Sequence, residues 1–363
     1  MRDRKTSGPT KSVSLTTETP RQTLASRAIG VVGMGLMGSS IAACLLAAGR
    51  GVVAIEEDAT RRKKASRQVL ALLRSSRKEH VLRADPEQRL RYLRISSDYG
   101  RLHESKTVFE SVIEDLAIKR QVIRKIEQVV PADALIGSNT SAIPPSLLQR
   151  DAVNPERILG IHWAEPAHIT RFMEIICGTK TAAVYVERGL ALARQLGKEP
   201  SLLQREVRGF ITNRVMYAML REAFYLVESG VASIADVDRS LRNDLGYWIT
   251  FAGPFRFMDL TGIPAYGAVM RDLLPDLDCR KRVPRLMRRL VESGARGVAN
   301  ARGFYDYTPA QAKRWEKRFL QFSYDIRALA QKYPEERGTT FGVSDELVAK
   351  DTRKRILRRR SRG

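Results

Sequence analysis

The feature that most constrains the fold of this chain is a glycine-rich hexapeptide between a short apolar run and an apolar helix pattern. The run AIGVV at 28–32 suits a buried parallel strand, GMGLMG follows at 33–38, and the pattern from 39 to 48 is helical. A GxGxxG pattern alone is weak evidence, but here a strand precedes it and a helix follows it. The hexapeptide therefore predicts the first strand–turn–helix unit of a doubly wound α/β sheet.

The same turn predicts a ligand. Its first two glycines allow a pyrophosphate to approach the backbone closely, and the free N–H groups at the helix start hold phosphate oxygens. Glu56 ends a second strand pattern 18 positions after Gly38, where an acid accepts hydrogen bonds from an adenosine ribose. Because a carboxylate repels a 2′-phosphate, we expect NAD rather than NADP, although Arg61 and Arg62 lie nearby. The expected contacts within the turn are Gly33, Gly35, Leu36, Met37 and Gly38.

Strand and helix patterns alternate along the first half of the chain and then change. Strand patterns recur at 91–95 and 107–110, and residues 59–90 form a charged, helix-permissive excursion between strands. From Gly209 the β-branched runs stop, and apolar residues recur three or four apart up to Glu228, as on one face of a helix. The expected fold class is therefore α/β, a Rossmann-type doubly wound parallel sheet followed by an all-helical C-terminal domain.

Four segments follow from these patterns. Residues 1–26 are polar without periodicity and predict a disordered N-terminal extension. Residues 27–207 form the expected NAD-binding domain, and residues 208–310 form the helical domain. Residues 311–363 are a basic C-terminal extension. An amphipathic helix pattern that begins at Pro309 continues into it.

Polar residues follow three apolar runs at positions suited to chemistry. The cluster SNTS at 138–141 follows a buried strand pattern, His162 ends the run 158–161, and Glu174 lies within the run 172–176. In an open α/β sheet, ligands bind beyond the carboxyl ends of the strands. An imidazole, a carboxylate that orients it and a hydroxyl can together move a proton to or from a substrate oxygen. These residues therefore form a candidate catalytic site.

Taken together, these segments resemble the short-chain L-3-hydroxyacyl-CoA dehydrogenase family over about residues 28–307. The motifs that carry the resemblance are GMGLMG (33–38), SNTS (138–141), His162 with Glu174, GFITNR (209–214), GPFRFMDLTG (253–262) and GFYDY (303–307). The resemblance implies NAD-dependent oxidation of a 3-hydroxyacyl-CoA to a 3-ketoacyl-CoA, or the reverse. It also implies a homodimer that is joined through the helical domain.

The resemblance assigns roles to individual residues. His162 is the implied base that takes the proton of the 3-hydroxyl, and Glu174 pairs with it to fix its tautomer. Ser141 is implied to bond the substrate oxygen and to contact the cofactor, and Asn213 to reach toward the same group from the helical domain. A structural alternative stays open for each: a hydrogen-bonded structural histidine, or a helix cap at Ser141 or Asn213.

Two further residues match positions that line the nicotinamide side of the family's cleft. These are Glu114 and Lys119, which lie on a predicted helix after the strand at 107–110. The alternative for Lys119 is a solvated residue on the surface of that helix.

The sequence departs from the family pattern beside the implied base. Where the family has a pattern like FxNP, this chain reads Trp163-Ala164-Glu165-Pro166, and Arg208 stands where proline is common. An amide can donate hydrogen bonds, whereas an ionised carboxylate can only accept them. Glu165 therefore makes a second substrate class plausible, namely a free hydroxy acid such as a sugar acid or a carnitine-like compound.

The charge of the chain adds a further question about partners. The formal net charge is +23, and basic residues are dense in the tail 350–363 and between Arg61 and Arg67. The basic helical segment could meet the phosphates of coenzyme A. A non-catalytic dinucleotide-binding protein whose tail contacts nucleic acid or membrane is the third hypothesis, although the tail lacks the aromatic residues that stack on bases.

Cysteine content and hydropathy bear on the compartment. The three cysteines are scattered without a CxxC pair, which argues against a disulfide framework and a zinc site and for a reducing compartment. No apolar run reaches the roughly 18 residues of a membrane span. We expect a cytoplasmic protein, or one in the mitochondrial matrix if the N-terminal extension is a transit peptide.

Overall fold

The computed structural model describes residues 28–334. The expectations for the N-terminal extension 1–26 and for the basic tail 350–363 lie outside the described residues. The described part contains one eight-stranded sheet in the order β3-β2-β1-β4-β5-β6-β7-β8. Its strands are β1 Ile29–Val32, β2 Val52–Ile55, β3 Leu93–Ser96, β4 Thr107–Glu110, β5 Leu135–Ser138, β6 Ile158–Trp163, β7 Phe172–Ile176 and β8 Glu199–Leu203.

The strand directions confirm the Rossmann-type doubly wound sheet and add one reversal. Strands β1 to β6 are mutually parallel, β7 runs antiparallel to β6, and β8 runs parallel to β7. The reversal has a simple cause, since a parallel crossover needs a dozen or more residues and usually a helix. Only residues 164–171 join β6 to β7, so β7 can pair beside β6 only by returning in the opposite direction.

Helices cover both faces of the sheet. They are α1 Leu36–Ala47, α2 Ala59–Lys78, α3 Pro86–Leu90, α4 Leu116–Glu127, α5 Pro145–Gln149 and α6 Ala183–Gln195. Aspartates cap three of them, since Asp58, Asp85 and Asp115 accept hydrogen bonds from the backbone N–H groups of Arg61, Gln88 and Ile118.

Two apolar layers hold the sheet between the helices. Val31 of β1 packs in the layer formed with α1, α2 and α6, whereas Val32 packs in the layer formed with α4 and α5. Neighbouring residues of a strand point to opposite faces, so a strand buried on both sides must be apolar at nearly every position. This requirement explains the short continuous apolar runs of the sequence.

An all-helical segment follows the sheet, as expected. Its helices are α7 Thr212–Glu228, α8 Ile234–Asn243, α9 Leu245–Ile249, α10 Pro254–Thr261, α11 Ile263–Leu273 and α12 Arg285–Glu292. No residue of α7 is buried within the single chain, although its sequence is amphipathic. Val237 of α8 and Ala252 before α10 are among the few buried apolar residues of this segment.

The last described helix, α13 Pro309–Lys332, returns to the first domain. Thr308 and Gln311 form a capping box at its start, which satisfies N–H groups that a helix end leaves unpaired. Tyr324 is buried, and its hydroxyl donates to the Ser75 hydroxyl of α2 at 3.0 Å. Among the described helices, none is both long enough and apolar enough to cross a bilayer.

Candidate active site

The glycine turn after β1 has the geometry of a dinucleotide cradle. Gly33 has φ of +91°, a conformation that favours glycine, and a Cβ on Gly38 would lie 1.8 Å from the carbonyl oxygen of Gly33. A Cβ on Gly35 would meet nothing within 4 Å, so this side of the turn is open. Helix α1 begins next to it, at Leu36, without a side-chain cap. The residues present therefore fit a pyrophosphate at the helix start.

Glu56 stands at the carboxyl end of β2 and holds the turn. Its Oε2 accepts the backbone N–H of Met34 at 2.8 Å, and the side chain is buried. Arg61 and Arg62 both contact Glu56. The Arg61 Nε lies 3.3 Å from its Oε1, and the Arg62 Nη1 donates to its backbone carbonyl oxygen at 2.7 Å. The first two basic residues of α2 thus lie beside Glu56 at the carboxyl end of β2.

His162 and Glu174 face each other across the antiparallel pair β6 and β7. They occupy directly opposite positions in the strand register, so their side chains emerge on the same face. The His162 Nδ1 lies 2.9 Å from the Glu174 Oε2, and both side chains are buried. His162 and Glu174 are 12 residues apart in the sequence because a short loop, residues 164–171, joins the two strands.

The second oxygen of Glu174 binds the start of helix α7. Its Oε1 accepts the backbone N–H groups of Ile211 at 3.2 Å and of Thr212 at 3.0 Å. Burial raises the pKa of Glu174, but the hydrogen bonds from His162, Thr212 and Ile211 outweigh it and hold the pKa below its usual value. An ionised carboxylate only accepts, so the proton between the pair resides on the His162 Nδ1. The lone pair of Nε2 is then available to a substrate.

Two aromatic rings enclose His162. The Phe172 ring packs edge-on against the imidazole at a centroid distance of 5.4 Å, and the Phe210 ring lies at 5.6 Å. Phe210 is fully buried and has φ of +53°, directly after Gly209. This left-handed turn leads the chain into α7 at the point where Glu174 accepts the N–H groups of that helix.

Glu114 shapes the loop that carries Ser141. Its Oε1 accepts the Thr140 hydroxyl at 2.5 Å and the backbone N–H of Ser141 at 2.9 Å. Burial raises the pKa of Glu114. The hydrogen bond from Thr140 and the charge of Lys119 outweigh this effect, so the pKa lies below its usual value. Thr140, rather than Ser141, accepts the N–H of Ile143 ahead of α5. The exposed side chain of Ser141 is therefore not a helix cap.

Asn213 connects the helical segment to this loop. Its Nδ2 donates to the carbonyl oxygen of Ser141 at 2.9 Å, across the cleft between the sheet and α7. The alternative that Asn213 caps the helix is wrong, because Glu174 accepts the N–H groups at the start of α7. His162, Glu174, Ser141 and Asn213 thus come together at the carboxyl edge of β5 and β6.

Lys119 lies beneath the same loop. It is completely buried, and its Nζ donates to the Glu110 Oε1 at 2.9 Å and lies 3.5 Å from the Glu114 Oε2. The alternative that Lys119 is a solvated helix residue is therefore wrong. Glu110 was missed by the sequence analysis, although an acid at the end of a buried strand signals a buried partner.

Asn139 is a second residue that the sequence analysis assigned no role. Its Oδ1 accepts the backbone N–H of Trp163 at 3.0 Å, and its Nδ2 donates to the Ser111 hydroxyl at 3.2 Å. It thereby ties the ends of β4, β5 and β6 together immediately after His162. Its place behind a buried strand was visible in the sequence, but its partner was not.

A cleft of about 720 Å³ opens on the other side of Phe172. It lies between the starts of β7 and β8, the turn before α10, and helix α13. Its basic and aromatic lining includes Arg171, Arg256, Arg327, Phe251, Phe319 and Phe322. Within residues 28–334, no group of three or more His, Cys, Asp or Glu side chains is arranged to hold a metal ion.

The fold and this site define an NAD-dependent dehydrogenase with a histidine–carboxylate pair. Two family models match the chain: the NAD-binding domain of 3-hydroxyacyl-CoA dehydrogenase over residues 28–207, and its C-terminal domain over residues 209–307. The chain belongs to the 3-hydroxyacyl-CoA dehydrogenase family.

Individual relatives differ in their substrates. The 5-formyl-3-hydroxy-2-methylpyridine 4-carboxylate 5-dehydrogenase of Mesorhizobium japonicum is 35% identical over 79% of this chain and 93% of its own length. The 3-hydroxybutyryl-CoA dehydrogenase of Mycobacterium tuberculosis is 29% identical over 77% of this chain and 98% of its own length.

Solved structures give the same picture. A crystal structure of a 5-formyl-3-hydroxy-2-methylpyridine 4-carboxylic acid 5-dehydrogenase, described as an NAD-dependent dismutase, covers 84% of this chain and 98% of its own, with a TM-score of 0.78 and 31% identity. The (S)-3-hydroxybutyryl-CoA dehydrogenase of Ralstonia eutropha covers 78% and 99%, with a TM-score of 0.65 and 29% identity.

Proposed function

We propose that His162 is the general base of an NAD-dependent oxidation at a carbon that bears a hydroxyl group. The observation that carries this role is the buried pair of the His162 Nδ1 with Glu174, which leaves Nε2 as the proton acceptor. As Nε2 takes the hydroxyl proton, the hydride leaves the same carbon and a carbonyl forms. Glu174 then stabilises the imidazolium. Bound NAD supplies the acceptor of the hydride.

The neighbouring residues orient the reacting group. In this proposal the Ser141 hydroxyl bonds the substrate oxygen, and the hydrogen bonds of Glu114 and Asn213 to the Ser141 backbone support this role. Glu114 and the buried Lys119 support the nicotinamide side of the cleft through this loop. The cofactor contacts at Gly33, Gly35, Leu36, Met37, Gly38 and Glu56 belong to the same proposal.

We further propose that the substrate is a small free acid, either an alcohol or an aldehyde in its hydrated form. A hydrated aldehyde carries two hydroxyls on one carbon, so the same loss of a proton and a hydride converts it to a carboxylic acid. The relative that acts on a pyridine carboxylate supports this class. So does the cleft beside Phe172, since its aromatic walls suit a ring.

Glu165 supports the same substrate class. It lies three positions after His162, and burial raises the pKa of its carboxyl group above the usual value. A carboxyl oxygen at this position can accept a hydrogen bond, and a hydrated aldehyde presents a second hydroxyl that can donate one.

The first test is NADH formation by the purified full chain. We expect activity with NAD and 2-formylbenzoate or 3-hydroxybutyrate, and a loss of at least about 100-fold in kcat for His162→Ala. His103→Ala changes an exposed histidine and is the matched control, with wild-type activity expected. Turnover of 3-hydroxybutyryl-CoA alone, with no free acid oxidised, would contradict the substrate class while leaving the role of His162 intact.

The second candidate is oxidation of a 3-hydroxyacyl-CoA. The relatives that act on 3-hydroxybutyryl-CoA favour it, together with the basic residues Lys63, Lys64 and Arg67 on α2. Free coenzyme A should then inhibit NADH formation, and charge reversal at Lys63 and Lys64 should relieve the inhibition. If free coenzyme A leaves the rate of NADH formation unchanged, this candidate is excluded.

We also propose that the protein is a homodimer joined through its helical segment. A single chain leaves large apolar side chains exposed on these helices, among them Val215, Tyr217, Phe255, Val269 and Leu273. Exposed apolar surface on this scale marks an interaction site, and a second copy of the same surface is the simplest partner.

A further inference from the structure

The loop 164–171 joins the two strands that carry His162 and Glu174. It is the only chain segment between β6, which carries His162, and β7, which carries Glu174. Within the loop, the N–H groups of Ile169 and Thr170 share the carbonyl oxygen of Pro166 at 3.0 Å, and the Thr170 hydroxyl donates to the Ala164 carbonyl at 3.3 Å. Side chains from other elements bond four more backbone groups of this loop, namely the N–H of His168 and the carbonyl groups of Ala167, Ile169 and Thr170.

Two basic side chains bind the carbonyl groups of the loop. Lys198, which precedes β8 and is buried, donates from its Nζ to the Ala167 carbonyl at 2.5 Å and to that of Thr170. Arg327 of α13 donates from its Nη1 to the Ile169 carbonyl at 2.5 Å. Hydrogen bonds from charged donors are stronger than those between neutral groups, especially away from water.

Helix α1 holds the same loop from a third direction. The Ser40 hydroxyl accepts the backbone N–H of His168 at 3.2 Å and lies 2.9 Å from its Nδ1. Burial lowers the pKa of His168 to about 4, with the charges of Lys198 and Arg327 acting in the same direction. His168 is therefore neutral at pH 7, and its Nδ1 shares a hydrogen bond with the Ser40 hydroxyl.

Helix α13 is itself anchored on the first domain. The Tyr324 hydroxyl lies 3.4 Å from that of Ser76, and the Gln321 amide donates to Glu79 at 3.1 Å. The Tyr324 ring also lies against His168, with centroids 6.5 Å apart. The position of Arg327 is thus fixed by contacts with α2, in a helix that follows the matched family domain ending at residue 307.

We propose that Arg327 and Lys198 are positioning residues, which hold the loop 164–171 so that His162 and Glu174 stay aligned toward the substrate. Helix α13 is then part of the active-site scaffold rather than an appended tail. The inference rests on the proposed role of His162. Loss of either side chain leaves a buried carbonyl unsatisfied, and a shift of about 1 Å at the reacting groups can cost up to about 100-fold in rate.

The experiment compares Arg327→Met, Arg327→Lys and Lys198→Met in the full chain. We expect kcat to fall about tenfold or more in both methionine variants, and Arg327→Lys to recover most of it, because a lysine can still donate to the Ile169 carbonyl. Lys198 does not line the cleft beside Phe172. A loss of kcat shared by both variants therefore reports the loop, whereas a change in KM that is confined to Arg327 reports the cleft.

Arg318→Met is the matched control, since it removes the same charge from an exposed position of the same helix. A second readout is deuterium uptake of the peptide that spans 164–171, which we expect to rise in both methionine variants and not in the control. This readout stays valid even if His162 proves dispensable. Wild-type kcat and wild-type uptake in both variants, with only a lower melting temperature, would overturn the proposal.

Discussion

At the scale of single residues, Glu174 has two partners that belong to different parts of the molecule. One carboxylate oxygen accepts from His162, and the other accepts the N–H groups at the start of α7. The positive end of a helix and a hydrogen-bonded imidazole both favour the ionised form. The same side chain therefore sets the tautomer of the base and joins the sheet to the helical segment.

Glu174→Gln is expected to damage both functions. An amide has one acceptor oxygen, so its NH₂ group must face either the His162 Nδ1–H or the helix N–H groups. We expect kcat to fall at least about 100-fold and the free energy of unfolding to fall by about 1–3 kcal/mol. Steady-state kinetics and urea unfolding at pH 7 measure the two losses. Wild-type kcat in the variant would exclude the pair as the catalytic unit.

The stabilising contribution of Glu174 has a defined pH window. Its pKa in the folded state lies below its ordinary value, so the contribution is complete above that ordinary value and is lost as the pH falls through the folded pKa. Near neutral pH this carboxylate therefore contributes no pH dependence of its own.

At the scale of elements, the loop 164–171 contains a different titrating group. His168 has a pKa of about 4 in the folded protein, against about 6.5 when unfolded. Between pH 6.5 and pH 4, His168 is protonated in the unfolded chain but neutral in the folded protein. Its contribution to stability is therefore complete above pH 6.5 and is lost as the pH falls toward 4.

We therefore expect the free energy of unfolding to fall by about 2 kcal/mol between pH 7 and pH 5, and His168→Gln to remove most of that slope. Urea unfolding at the two pH values measures it. His103→Gln is the control, because His103 is exposed and its replacement leaves the buried group in place. An unchanged slope in His168→Gln would show that another group causes it.

At the scale of the whole molecule, the helical segment lacks a complete core within one chain. Helix α7 buries no residue, while α10 and α11 expose Phe255, Val269 and Met270. A second copy that covers this surface would also stiffen the segment that carries Asn213. The dimer and the geometry of the cleft are thus linked in the proposal.

Sedimentation velocity tests the dimer directly. We expect twice the chain mass for the wild type, and a shift to monomer when Val269→Glu and Met270→Glu place charges on the exposed apolar surface. Arg318→Met, outside this surface, is expected to remain dimeric. A wild-type protein that sediments as a monomer at micromolar concentration contradicts the proposal.

The sequence by itself determined the elements that depend on local chemistry. A strand, a glycine turn that only glycine can adopt at Gly33, and a helix predict the dinucleotide site, because backbone conformation and apolar periodicity are properties of neighbouring residues. The residues of the candidate site at 138–141, 162 and 174 were visible as polar groups within or directly after apolar runs, whereas Asn213 was assigned by the family resemblance alone.

Only the tertiary structure decided which distant groups meet. The second partner of Glu174 and the contact of Arg327 with Ile169 join residues that are 38 and 158 positions apart, and the reversal of β7 and the buried pair of Lys119 with Glu110 join residues of different elements. Such pairings depend on how strands and helices pack and leave no local periodicity to detect. For this reason a lysine that could have been solvated is buried, and a C-terminal helix reaches the loop beside the catalytic histidine.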